Sequence, residues 1–304
     1  MIMKTADRLV IEKTGANGFT LVELAVVIAT VAIMVAVLLP ALAGTRPNAQ
    51  AFQCLENQRQ LILAWQMYAQ DNSDLLPPND FPWKTSESRN GTEKNWVFGS
   101  MLVPLDMIST AVLVNPQLSL LALYNTNPAA YKCPADIAVI QNKVRARSVS
   151  MNCAVGTRWY SAGLGSPGGS HAGQPGDPVG GAWLSGYYAD PDPNYRTYGK
   201  ITQMTKPGPS MTWVIIDENP DMINDPLMAV NMVPGGNLVD FPAKYHAGGA
   251  GISFADGHSE LHKWMDDFAQ VLPPNTITGQ SASIAAIAPY HDSAWLQPRT
   301  SALK

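Results

Sequence analysis

The sequence predicts an α+β protein. A long N-terminal helix, apolar in its first half and amphipathic in its second, is expected to pack on an antiparallel β-sheet domain with long loops. Three observations carry this. Residues 19–39 read FTLVELAVVIATVAIMVAVLL, roughly the 20 apolar residues a bilayer span needs, with Glu23 as the one ionisable side chain. Between Ala51 and Ala69 the apolar residues return with the 3.6-residue period of a helix. Beyond residue 75, short apolar runs alternate with Pro, Gly, Asn and Asp, the texture of strands joined by turns.

Composition limits the function classes. The 304 residues are 46% hydrophobic and 14% charged, with a net charge of -4, against about 25% charged in an average soluble chain. A disordered acidic tail is excluded by the apolar content. No basic surplus exists to neutralise phosphates, so no nucleic-acid partner is expected. Eight Trp and ten Tyr supply ample core material.

The first element, residues 1–18, carries Lys4, Arg8 and Lys13, whereas Arg46 is the one basic residue soon after the apolar run. That asymmetry places the start in the cytoplasm and the bulk of the chain outside it. As a helix, residues 19–39 cover ~30 Å, the thickness of the hydrocarbon core. A carboxylate inside a spanning helix costs roughly 2.5 to 3.5 kcal/mol at the bilayer centre and less near the interface, so Glu23 either snorkels or has a partner. A competing reading is a secretory signal cut after Ala43, where Ala41-Leu42-Ala43 precedes Gly44.

Residues 40–74 form the second half of the helix, interrupted at Pro40 and at Gly44-Thr45-Arg46-Pro47. Ala51, Cys54, Leu55, Leu61, Ile62, Trp65, Tyr68 and Ala69 share one arc broken by Gln58, and Gln53, Glu56, Gln60 and Gln70 lie opposite. Asp71-Asn72-Ser73-Asp74 ahead of Pro77-Pro78 ends it. The globular remainder, residues 75–304, has its clearest strands at 211–216, 252–255 and 258–264. Asp256-Gly257 reads as a two-residue hairpin turn pairing Ala255 with His258. That register puts Ile252, Phe254 and Leu261 on one face and Ser253, His258, Glu260 and His262 on the other. Residues 161–181 are dense in Gly and Pro and read as a long loop.

Gly18-Phe19-Thr20-Leu21-Val22-Glu23-Leu24 resembles the cleavage and methylation motif of type IV prepilins and type II secretion pseudopilins. Tyr131-Lys132-Cys133-Pro134, Arg147-Ser148-Val149-Ser150-Met151-Asn152, Pro209-Ser210-Met211, the stretch Asp217-Glu218 through Ile223-Asn224-Asp225, and His246 with Asp256-Gly257 ten residues on extend the resemblance. They are similar to prepilin-type proteins with an H-X9-DG segment, here 246–257, a group abundant in planctomycete and verrucomicrobial bacteria. The resemblance implies a pilin-like fold. It also implies a leader removed between Gly18 and Phe19 by a prepilin peptidase that N-methylates Phe19, and a single-pass inner-membrane anchor with the C-terminal domain periplasmic or extracellular. The implied partners are the lipid bilayer, an inner-membrane assembly platform and other pilin-like subunits, where Glu23 pairs with a neighbour's Phe19 amine. The role is a structural subunit of a pilus or type II secretion pseudopilus rather than an enzyme.

Several residues remain as candidate sites. Asp217, Glu218, Asp221, Asn224 and Asp225 offer hard oxygen ligands for a structural Ca2+, used by some pseudopilins. The stretch is not an EF-hand, because Met222 and Met228 stand where the turn Gly and the bidentate Glu belong. His246, Asp256, Gly257 and His258 form a motif of unknown role. Alternate residues His258, Glu260 and His262 with His246 suggest a rival, an exported metal-dependent hydrolase. The plain reading of the same residues is a solvated strand face with His246 bonded to the turn. A carbohydrate- or surface-binding module on the same anchor is a further rival. Three cysteines, Cys54, Cys133 and Cys153, give the arithmetic of one disulfide and one free thiol in an oxidising compartment; Cys54 with Cys133 would staple helix to domain, and the other pairings or three buried thiols stay open.

Overall fold

The computed structural model describes residues 20–79, 94–101, 103–140, 142–159, 174–235, 239–266 and 291–304, with backbone alone at 37–46 and 140. The leader, the Gly18–Phe19 junction and residues 160–173 of the Gly/Pro-rich loop lie outside them. The chain divides into two units, Met1–Arg46 and Pro47–Lys304. Helix α1 (Leu21–Asp71) begins in the first and ends in the second.

In the first unit, the side chains of residues 21–36 are exposed throughout, with Leu21 at 85% and Ile33 at 65% of full exposure. Thr20 and Glu23 close a capping box: the Thr20 backbone N–H and hydroxyl donate to Glu23 Oε2 at 2.9 and 2.8 Å, and the Glu23 N–H donates to Thr20 Oγ1 at 3.2 Å. Two of the orphan donors at the helix start are thereby satisfied. Among the described residues no helix is long and apolar enough to cross a membrane.

The second unit is built on the rest of α1. Cys54, Leu61, Ile62, Trp65, Tyr68 and Ala69 are buried as the periodicity predicts, and so are Asn57 and Gln58. Gln58, the polar break in the arc, works as a bracket: its Nε2 donates to the Gly251 carbonyl at 3.2 Å, and its Oε1 accepts from Ser253 Oγ at 3.1 Å. The helix stops at Asp71, where Ser73 and Asp74 adopt positive φ and the Asp74 N–H returns to the Ala69 carbonyl.

The helix covers one face of a five-stranded sheet ordered β5-β3-β4-β6-β7. Its strands are β3 (Val149–Asn152), β4 (Trp213–Asp217), β5 (Leu227–Met228), β6 (Gly249–Phe254) and β7 (Ser259–Lys263); a separate antiparallel pair joins β1 (Val139–Ile140) to β2 (Lys143–Val144). The sheet is antiparallel except at β3 and β5, which run parallel, so the expected all-antiparallel arrangement is corrected at that edge. Both faces of β4 and β6 are buried. On the helix side lie Leu61, Trp65, Met151 and Ile215, and on the other Trp213, Ile216, Ile252, Phe254, Phe241 and Leu296. The last of these comes from α4 (His291–Thr300), whose Thr300 Oγ1 accepts from Trp213 Nε1 at 2.9 Å.

The β6–β7 hairpin forms where Asp256-Gly257 predicts, but one residue out of register. Ser253 faces Ser259 and Ile252 faces Glu260, which leaves the three-residue loop Ala255-Asp256-Gly257. The Gly257 N–H bonds the Phe254 carbonyl and Gly257 takes φ +96°, the arrangement of a turn followed by a left-handed residue. A one-residue slip exchanges the faces. Phe254 and His258 consequently share a face and stack at 4.2 Å, whereas the two-residue turn puts them on opposite sides.

Candidate functional site

Among the described residues, one group of metal-ligand side chains converges: Cys54, Cys133, Asp217 and His246, with one ligand atom from each lying within 4.8 Å of all the others. All four belong to the second unit. Cys54 sits on the core-facing arc of α1. Cys133 follows the 3-10 turn Pro128–Tyr131, its backbone N–H held by Ser148 Oγ at 2.8 Å. Asp217 is the last residue of β4, and His246 opens a tight turn closed by reciprocal backbone bonds to Gly249. Cys54 Sγ donates to Asp217 Oδ2 at 3.0 Å, and Cys133 Sγ meets His246 Nε2 at 3.1 Å. The Gly251 N–H also donates to Asp217 Oδ2 at 3.0 Å. Asp217 is fully buried and its Oδ1 accepts nothing. A Cβ at Gly251 would lie 2.8 Å from Cys54 Sγ and 3.0 Å from Asp217 Oδ2, so glycine there makes the room the cluster occupies.

The electrostatics separate the two thiols. The adjoining Cys54 thiol, reinforced by His246, draws the Cys133 thiol down to about 6 against the opposing effect of burial. The Cys133 sulfur, burial and the Asp217 carboxylate push Cys54 up. Burial, then the charge on Cys133, raises Asp217 well above the carboxylate range. Such a set offers two sulfurs, a nitrogen and an oxygen to a cation, and Cys54 and Cys133 are also neighbours for the disulfide the sequence suggests. Both are free thiols here, as is Cys153, buried in the core on the opposite side of the sheet.

The other expected sites are dispersed. The five oxygen-bearing residues 217–225 form no common cage. Asp217 faces Cys54; Asp225 Oδ1 caps the Leu227 N–H at 2.8 Å; Asn224 contributes its carbonyl to the Met101 N–H; and the Glu218 carboxylate is buried beside Arg147, Asp225 and Asp240. Side-chain alternation explains the split of Asp217 from Glu218. His258, Glu260 and His262 do not gather with His246 either. The His258 ring stacks on Phe254 with Nδ1 against Asp256 Oδ1 at 2.6 Å, and His262 stacks on Trp295 at 3.7 Å. His246 does not bond the Asp256-Gly257 turn; β6 separates them, and His246 turns to Cys133 instead.

Beside the cluster lie polar groups that the sequence reading did not single out. Arg145 is buried against Asp136, donating to its Oδ2 from Nη2 at 2.8 Å and Nε at 3.2 Å, to the Pro220 carbonyl at 2.9 Å and to the Tyr245 hydroxyl at 3.2 Å. Farther along, burial raises Asp225 to about 7 and Asp240 to about 8, the latter also through Asp225. A carboxylate whose folded pKa exceeds its unfolded one holds its proton more tightly when folded, so its contribution to stability falls as pH rises from about 4 through 8. Thermal stability of the second unit is therefore expected to decline between about pH 5 and pH 8.5. Asp240→Asn should flatten that decline, raising the high-pH Tm by about 2–4 °C per kcal/mol recovered. Calorimetry at the two pH values checks this, and an unchanged slope in the variant refutes it. No family model, curated protein or solved structure matches this chain.

Proposed function

We infer that the protein is a membrane-anchored, pilin-like structural subunit, cut between Gly18 and Phe19 and assembled through its N-terminal helix into a pilus-like or secretion-type fibre. The observation that carries this reading is the division of labour along one helix. Residues 21–36 present an uncovered apolar surface interrupted by a single carboxylate, while the turns after Pro47 are the backbone of a folded domain. Uncovered apolar surface of this extent calls for lipid or other helices as its surroundings. The motif Gly18-Phe19-Thr20-Leu21-Val22-Glu23 supplies the processing signal, and the basic residues ahead of it favour a cytoplasmic start. The rival hydrolase site draws no help from His258 and His262, whose rings are engaged apart, the first with Phe254 and Asp256 and the second with Trp295.

Mass spectrometry of the mature chain tests the proposal. An N-methylated Phe19 is the expected N-terminus; a chain starting at Gly44 would overturn the anchor and with it the fibre.

A further inference from the structure

We propose that Cys54, Cys133, Asp217 and His246 bind one divalent metal ion of the zinc class in a closed, four-ligand structural site. The argument starts from ligand type. Two sulfurs and an imidazole suit a borderline-soft cation such as Zn2+ and disfavour Ca2+ or Mg2+, which take sets made of oxygen alone. It continues through geometry. With metal–ligand bonds of about 2.0–2.3 Å, the ligand atoms of a tetrahedral site stand ~3.3–3.8 Å apart. Here the Cys54–Asp217 and Cys133–His246 contacts are 3.0 and 3.1 Å and every other pair lies within 4.8 Å, so shifts of a fraction of an ångström to about one ångström convert the group into a coordination shell.

Two independent features point to the same occupant. Asp217 is wholly buried with Oδ1 unpartnered, an arrangement that costs free energy unless something positive shares the space. Gly251 then withholds the Cβ that would fill that space, and its N–H orients the carboxylate. A Cys54–Cys133 disulfide uses two of the four groups and leaves the buried carboxylate and His246 unexplained. As ligands, Cys54 and Cys133 are thiolates, Asp217 a carboxylate and His246 neutral; any protons these groups hold pass to solvent on binding, and the dication offsets two of the three negative charges. Four protein ligands leave no position open for water, so the site is structural. It joins α1 to the 3-10 segment, the end of β4 and the turn before β6, and it does not depend on whether the chain assembles into a fibre.

The test uses the full chain in detergent micelles, isolated under nitrogen without chelator or reductant. Native mass spectrometry is expected to show one zinc per chain with Cys54 and Cys133 unoxidised. Replacement by Co2+ should give a thiolate-to-cobalt charge-transfer band, which Cys133→Ser weakens by about half or more as one of the two thiolates is lost. Asp217→Asn, nearly isosteric, should weaken zinc retention by at least about tenfold while the far-UV circular dichroism stays native, which keeps the test open if Cys133→Ser fails to fold. Isolation as a Cys54–Cys133 disulfide, absence of zinc with no uptake from added Zn2+, or equal retention by Asp217→Asn overturns the site.

Discussion

Glu23→Gln is expected to yield a chain that is cut and methylated at Phe19 yet forms no fibres. The choice of glutamine matters because Glu23 has two separable jobs. Within its own helix it completes a capping box with Thr20, a role glutamine fills equally well. In the proposed assembly it offers a negative charge to the Phe19 amine of a neighbour, a role glutamine cannot fill. Glu23→Val removes both, leaving Thr20 in place as the N-cap but its backbone N–H and hydroxyl without the carboxylate they donate to. If charge pairing drives assembly, the two variants fail alike, because an amine left in an apolar bundle without its carboxylate is heavily penalised. Fibres sheared from cells and counted by electron microscopy decide it, with the processed N-terminus checked by mass spectrometry. Wild-type fibre numbers from Glu23→Gln would reduce the carboxylate to a helix cap and remove the pairing role.

Arg145→Ala should destabilise the second unit by about 3–5 kcal/mol. Both partners of the Arg145–Asp136 pair are almost completely shielded, with side-chain exposures of 2% and 0%. Truncation strands Asp136 as a buried charge and takes a donor from the Pro220 carbonyl and from Tyr245, which adjoins His246. Against the 5–15 kcal/mol that holds a typical domain together, such a loss leaves a substantial unfolded fraction at body temperature. Replacing the pair together, Arg145→Met with Asp136→Leu, should recover most of it, since the cost lies in the widowed charge more than in the missing attraction. Urea unfolding of the single and double variants measures this; a loss below about 1 kcal/mol from Arg145→Ala would mean that water reaches Asp136.

How much of this was legible in the sequence depended on range. The amphipathic stripe from Cys54 to Ala69 and the end of α1 at Asp71 follow from side-chain period and local breakers, and the structure has both. The hairpin at Asp256-Gly257 was legible too, but not its register. The two-residue and three-residue loops differ only in whether Ala255 joins the turn, a choice made by packing of Phe254 and Ile252 in the core rather than by the dipeptide. The parallel edge strand β5 is two residues long and too short to leave a periodic trace. The four residues of the cluster each drew attention separately: Cys54 and Cys133 as a disulfide, Asp217 as an oxygen ligand, His246 as part of a motif. Their meeting was hidden because it joins segments as much as 192 residues apart, from Cys54 to His246, through tertiary packing, which no local pattern encodes. Arg145 and Asp136 left no signal at all, since a basic and an acidic residue nine apart look like any surface pair until both are found inside.

The H-X9-DG spacing takes on a different meaning once β6 is seen between its ends. His246 and Asp256-Gly257 never touch; one anchors the entry to β6 and the other its exit, with six strand residues, ~20 Å of extended chain, in between. Nine is therefore the count that carries the chain from the turn at His246 across β6 to the hairpin at Asp256-Gly257. An extra residue in the strand would either turn its inward side chains outward or have to be taken up as a bulge. Holding the count fixed lets the hairpin keep its phase while the histidine stays in reach of Cys133. The motif behaves as a gauge block cut to the width of the sheet.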